Sequence, residues 1–171
     1  MGQAFPKPTL RPYLPADLAV ALAIFAASVE ELTGEDYSEA QQAAWIALAD
    51  DEEAFGRRLS GQLTLIALAG DAPVGFASLK DNTQIDMLYV HPHAVGQGVG
   101  TALCEALEKL AGARGATRLT VEASDTARLF FTHRGYGAER RNTVPLGDEW
   151  LGTTTMLKLL TPVPSPTSMP Q

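Results

Sequence analysis

The stretch QIDMLYVHPHAVGQGVGT, Gln84 to Thr101, reads as an apolar strand that delivers a glycine-rich turn into a helix. Ile85, Met87, Leu88, Tyr89 and Val90 suit a pleated surface, and His91-Pro92 stops the strand. Gly96, Gly98 and Gly100 then alternate through the turn, which lets a backbone pass close to a bulky ligand. Val99, Leu103, Leu107 and Leu110 follow at helical spacing, so the helix begins where the glycines end. Its first N–H groups and its positive dipole end face the turn. Together they form an anion cradle suited to a pyrophosphate.

Around this stretch the chain has room for one compact core. It has 171 residues, 46% of them hydrophobic, which predicts a single domain over residues 1–160. Residues 161–171 carry four prolines with Ser and Thr and predict a flexible tail. The richest apolar run, Leu18 to Val29, is too short to cross a bilayer, and the opening MGQAFPKP has no apolar signal region. A cytoplasmic protein with no membrane attachment is therefore expected. The formal charge of −7 opposes nucleic-acid binding, and it suits a cationic substrate as well as plain solubility. The one cysteine, Cys104, is expected to pack inside the glycine-turn helix.

Taken in order, the chain opens with a strand at Leu10 to Leu14 and a helix from Pro15-Ala16-Asp17 to Leu32. Ser38 and Gln41 form a capping-box pattern for a second helix bearing Trp45 and Leu48, and Asp50 to Leu59 predicts a third. Leu63 to Leu68, Val74 to Leu79 and the Ile85 strand are joined by short turns and should be antiparallel. Ile85 to Glu122 is a strand-helix-strand crossover, so its two strands should be parallel. A short helix, Asp125 to Arg134, and a closing pair, Tyr136 to Val144 and Trp150 to Leu159, complete a mixed α/β (α+β) fold.

Spacing separates the binding chemistries open to such a turn. A nucleotide P-loop needs a lysine after its last glycine, but Thr101 follows Gly100. A dinucleotide turn needs G-x-G-x-x-G, and from Gly96 or Gly98 the third glycine falls on Thr101 or Leu103. A dinucleotide-binding protein remains a minor alternative because Glu122 stands near the place of the ribose-binding acid. His91 and His93 have no third ligand clustered with them, so no metal is expected.

The segment LYVHPHAVGQGVGTALCEALE resembles the acetyl-CoA-binding segment of the GCN5-related N-acetyltransferases (GNAT), with the signature frame on Val95, Gly98 and Gly100. Val95 departs from the usual Gln or Arg. Ser124 to Tyr136 resembles the second family segment, with Ala127, Phe130 and Gly135 in register. The opening LRPYLPADL and EDYSEAQQAAW also resemble the YafP-like branch. The resemblance implies a largely antiparallel sheet splayed between two central parallel strands and flanked by helices, with the pantetheine arm of coenzyme A in the splay. Leu88, Tyr89 and Val90 would meet that arm, and the Leu88 N–H would polarise the thioester carbonyl. Val95, Gly96, Gln97, Gly98, Val99, Gly100 and Thr101 would hold the pyrophosphate. Ser124, Ala127, Phe130, Phe131 and Arg134 would flank the other side, with core packing an equal reading for Phe130.

The reaction implied is direct attack of a small-molecule or peptide amine on acetyl-CoA, since no Ser-His or Cys-His arrangement is visible. Asp86, placed by strand alternation on the face of Leu88 and Val90, is the first candidate base, and Glu122 the second. Phe131 stands where many members have the tyrosine that acts as acid, which leaves Tyr136 or Tyr89 as substitutes. A non-catalytic acyl-CoA-binding module is the alternative reading, and a homodimer through the C-terminal strands is compatible with either.

Overall fold

The computed structural model describes residues 7–161, so the expected tail lies outside the described residues except for Thr161. The described strands form one sheet: β1 (Thr9–Pro12), β2 (Leu63–Ala69), β3 (Ala72–Lys80), β4 (Gln84–Val90), β5 (Arg118–Ser124), β6 (Gly137–Leu146) and β7 (Glu149–Leu159). Their order is β1-β2-β3-β4-β5-β7-β6, and every pairing is antiparallel except β4 with β5. The meander β2-β3-β4 needs only tight turns. Asp81 and Asn82, both at positive φ (52° and 59°), make the second of them, a conformation that short polar side chains tolerate.

Helices cover both faces. On one, α4 (Val99–Ala113) buries Val99, Leu103, Cys104, Leu107 and Ala111 against Leu79, Ile85, Leu119 and Val121. Ala111 takes the inward place expected for Leu110, which is half-buried. The short α5 (Arg128–His133) adds Phe131 to the same core. On the other face, α1 (Leu18–Leu32) and α3 (Glu52–Ser60) enclose Ile24, Phe25, Phe55 and Leu59 with Ile66, Phe76 and Met87. Between them, α2 (Glu39–Ile46) starts on the expected capping box: the Gln41 N–H donates to Ser38 Oγ at 3.1 Å, and the Ser38 N–H to Gln41 Oε1 at 2.8 Å.

Two irregularities position everything that follows. The parallel strands β4 and β5 pair only at Gln84 with Thr120 and Ile85 with Val121, then diverge. The sheet is thus a V whose arms are β3-β4 and β5-β7. The second irregularity is a bulge in β4: Ser78 opposes Met87 and Leu79 opposes Ile85, which leaves Asp86 without a partner. An extra residue reverses the facing of what precedes it. Accordingly Ile85 shares the α4 core with Leu88 and Val90, whereas Met87 and Tyr89 join the α1–α3 core. Asp86 therefore does not share a face with Leu88 and Val90 as strict alternation predicted; it points to α3.

Candidate active site

Main-chain groups dominate one wall of the V. The His91 N–H donates to Val74 O at 2.8 Å, so the hydrogen-bonded positions of β4 against β3 are His91, Tyr89 and Met87. The N–H and C=O of Leu88 and Val90 consequently face the gap, where β5 has already turned away. An extended ligand arm could pair there as a strand does.

The glycine turn stands at the open end. Gly96 and Gly98 sit in the left-handed region (φ 83° and 80°), and an added Cβ at either would meet nothing within 4 Å. Conformation, not crowding, requires these two glycines. Gly100 differs: a Cβ there would lie 3.3 Å from the Phe130 ring, so this glycine admits Phe130. Helix α4 has Gly98 as its N-cap with no side-chain cap, and the amides of Val99, Gly100 and Thr101 find no acceptor among the described residues. The Val95 amide bends back to Pro92 O at 3.4 Å, and the Gln97 amide turns to Ala94 O at 3.3 Å. Those two positions contribute turn geometry in place of donors. His91 Nδ1 accepts from the His93 N–H at 3.1 Å, and no group of three or more metal-ligating residues occurs among the described residues.

Two cavities meet across the V. One of about 240 Å³ runs under the turn past Val90, Gly100, Ala127 and Phe130. The other, about 260 Å³, continues through the gap beneath α2 and the β6–β7 hairpin. Leu88, Tyr89, Ser124 and Ala127 line both. Apolar side chains form much of the second cavity: Trp45, Leu48, Met87, Val144, Leu146 and Leu151. Tyr37 braces it, donating to Gly152 O at 2.6 Å and accepting from the Asp125 N–H at 2.8 Å, with its ring edge-on to Trp45.

Two carboxylates enter this cavity, with different partners. Asp86, whose side chain is 10% exposed, takes Arg58 Nε at 2.6 Å, Arg58 Nη2 at 2.9 Å and Gln62 Nε2 at 2.9 Å. Burial opposes its charge, but the Arg58 and Gln62 hydrogen bonds outweigh that and hold its carboxyl below the usual range. Such a carboxylate is a weak base. Glu122 projects from β5 and takes only neutral donors: Thr153 Oγ1 at 2.5 Å, Asn142 Nδ2 at 2.6 Å and Thr155 Oγ1 at 2.8 Å. Desolvation is again the largest opposing cause, and these bonds again hold the carboxyl low. The Tyr89 hydroxyl accepts from Trp45 Nε1 at 3.2 Å, and burial pushes its ionisation up to about 12, so it stays protonated at neutral pH.

Three expected site residues lie elsewhere or differ in kind. Tyr136 lines neither cavity. Gly135, at φ 94°, turns the chain so that Tyr136 enters the α4 core and donates to Glu108 Oε2 at 2.8 Å. Burial and the neighbouring Cys104 and Glu108 push its ionisation far up, which removes it as an acid for the V. Arg134 is committed to Glu108 Oε1 at 2.8 Å and likewise lines neither cavity. Phe131 lines the second cavity but packs edge-on between Phe130 and Tyr136 as a core aromatic. Sequence reasoning missed Arg58 and Thr153 as cavity residues and Asn142 as a donor to Glu122. Only the hydroxyl run Thr153-Thr154-Thr155 in β7 hinted at a polar face there.

Comparison with known proteins places this geometry in context. A family model described as acetyltransferase (GNAT) domain matches residues 33–160. The chain is 33% identical over 141 residues to the N-acetyltransferase YafP of Escherichia coli (strain K12), covering 82% of this chain and 89% of YafP. A crystal structure of a GCN5-related N-acetyltransferase described as aminotransferase, class-II, from Rhodopseudomonas palustris is 62% identical. It superposes with a TM-score of 0.91 over 94% of this chain and all of that one. The PaiA N-acetyltransferase of Thermoplasma acidophilum, solved with coenzyme A, shares the fold (TM-score 0.73, 20% identity, 89% of this chain and 98% of that one).

Proposed function

Because the chain belongs to the GNAT acetyltransferase family, we propose that it moves an acetyl group from acetyl-CoA to a primary amine by direct attack. The observation that carries this reading is the V itself, with the main-chain groups of Leu88 and Val90 facing the gap beside the orphan amides of Val99, Gly100 and Thr101. Those amides, at a helix N-terminus, suit the pyrophosphate, and the flanking left-handed glycines fix their direction. Leu88 and Val90 pair with the pantetheine arm, with Tyr89 between them as cavity lining. The Leu88 N–H serves as the oxyanion donor, fixed by its strand and needing no reorganisation. Ser124, Ala127 and Phe130 complete the opposite wall. Acetyl-CoA supplies an activated thioester; the amine nitrogen bonds to its carbonyl carbon, the C–S bond breaks, and the thiol takes up a proton.

No strong side-chain base is needed. Asp86 and Glu122 both hold their carboxyls low, so neither takes a proton firmly at neutral pH, and the amine's proton passes to water from the cavity. The rate then follows the neutral fraction of the amine, and kcat/KM should rise with pH towards the amine's own pKa. A thiol with a pKa of about 8.5 leaves adequately without the phenol that Phe131 lacks.

Calorimetry with acetyl-CoA followed by a thiol-release screen of amines tests the proposal. Micromolar binding with turnover of at least one amine is the expected result. Absence of acetyl-CoA binding would sink it, and binding with no turnover across the screen would favour the non-catalytic acyl-CoA-binding module.

A further inference from the structure

Beyond the two carboxylates, the cavity beneath α2 and the β6–β7 hairpin presents mostly apolar surface. One of those carboxylates is already neutralised, since Asp86 has the Arg58 guanidinium across both its oxygens. Glu122 is not in any salt bridge among the described residues. Arg140, whose charge reaches it, points its Nε at Asn142 Oδ1 (2.8 Å) and not at Glu122.

The hydrogen bonds on Glu122 all come from neutral donors. A carboxylate offers about four acceptor directions. Asn142 and Thr153 occupy the two on Oε1, while Thr155 occupies one on Oε2. These neutral donors come from β6 and β7 and fix the carboxylate without cancelling its charge. Glu122 is itself exposed at the cavity wall, so its charge is open to a cation that enters.

We propose that the acceptor enters as an ammonium on a compact apolar body, and that Glu122 Oε2 holds the ammonium while Trp45, Leu48, Val144 and Leu151 take the body. This rests on the acetyl-transfer reading and adds to it the chemical class of the second substrate. Polyamines fit poorly because the cavity has no second carboxylate lacking a cation for their second charge. Free α-amino acids fit poorly because their carboxylate would approach the unpaired charge of Glu122. Glu122 is thus a binding residue that presents the amine, and proton loss to water follows from the bound state.

The full chain with saturating acetyl-CoA tests this by thiol release with 2-phenylethylamine, phenylalanine and spermidine. Turnover of 2-phenylethylamine is expected to exceed that of the other two by about tenfold in kcat/KM, the scale of one charge-assisted hydrogen bond. A second readout needs no turnover: N,N-dimethyl-2-phenylethylamine, a cation, should compete about tenfold more tightly than the neutral 2-phenylethanol. In Glu122→Gln that preference should vanish and KM for 2-phenylethylamine should rise more than kcat falls, with acetyl-CoA affinity retained. Glu122→Asp should recover part of the preference. Equal competition by cation and alcohol in the native protein, or a higher kcat/KM for phenylalanine or spermidine, would overturn the proposal. The inhibitor pair decides it even if Glu122→Gln does not fold. Loss of acetyl-CoA binding in the native chain strikes the acetyl-transfer reading itself, whereas retained binding with no cation preference strikes only the acceptor class.

Discussion

Asp86 shows how one inserted residue changes a side chain's occupation. The bulge turns its carboxylate to α3, where Arg58 and Gln62 take it. Arg58→Ala leaves a mostly buried carboxylate with one neutral donor, and the expected loss is about 1–3 kcal/mol in urea unfolding at pH 7. The sign with pH follows from the depressed carboxyl. The contribution is fully present above the unfolded-state pKa of about 3.9 and fades as pH falls through the lower folded value, so variant and native stabilities should converge in acid. Cys104 is the opposite case. It is fully buried, and burial with the neighbouring Glu108 pushes its thiol up to about 11. It should resist Ellman's reagent at pH 8 in the folded protein and react promptly in denaturant.

At the level of elements, the glycine turn and α4 separate two kinds of glycine. Gly98→Ala places a side chain at φ 80° with no neighbour to strike, so its cost is conformational, roughly 1–2 kcal/mol. If the turn opens to relieve that strain, acetyl-CoA affinity should fall about tenfold by calorimetry. The strand, turn and helix of this segment were legible because apolar spacing, His91-Pro92 and the glycines all point to one local answer. The bulge was not. Ile85 through Val90 is apolar on both faces apart from Asp86, so alternation carries no phase, and the extra residue is set by pairing with β3. Tyr136 was misplaced for a related reason: its nearness in sequence to Phe131 says nothing of the turn at Gly135.

For the whole molecule, the strand and glycine turn proposed to hold the cofactor were more legible than the cavity proposed for the acceptor because their contacts are local. The cavity beneath α2 and the β6–β7 hairpin joins residues far apart in the chain, as with Tyr37 and Gly152, 115 residues distant. No periodicity or motif reports such a meeting. A ligand that bridges the arms of the V should stabilise the fold by mass action, about 2.7 kcal/mol at a hundredfold excess over Kd. A rise in Tm with acetyl-CoA concentration checks this, and a flat response would remove the bridging role.

The strand order has a temporal consequence. β7 lies between β5 and β6 in the sheet, so the far arm of the V is assembled by the last described strand to leave the ribosome. Until residues near Leu159 emerge, β5 has no neighbour on that side and the Glu122 carboxylate lacks Thr153 and Thr155. During synthesis the β2-β3-β4 meander and the glycine turn can form early, but the wall that carries Glu122 cannot.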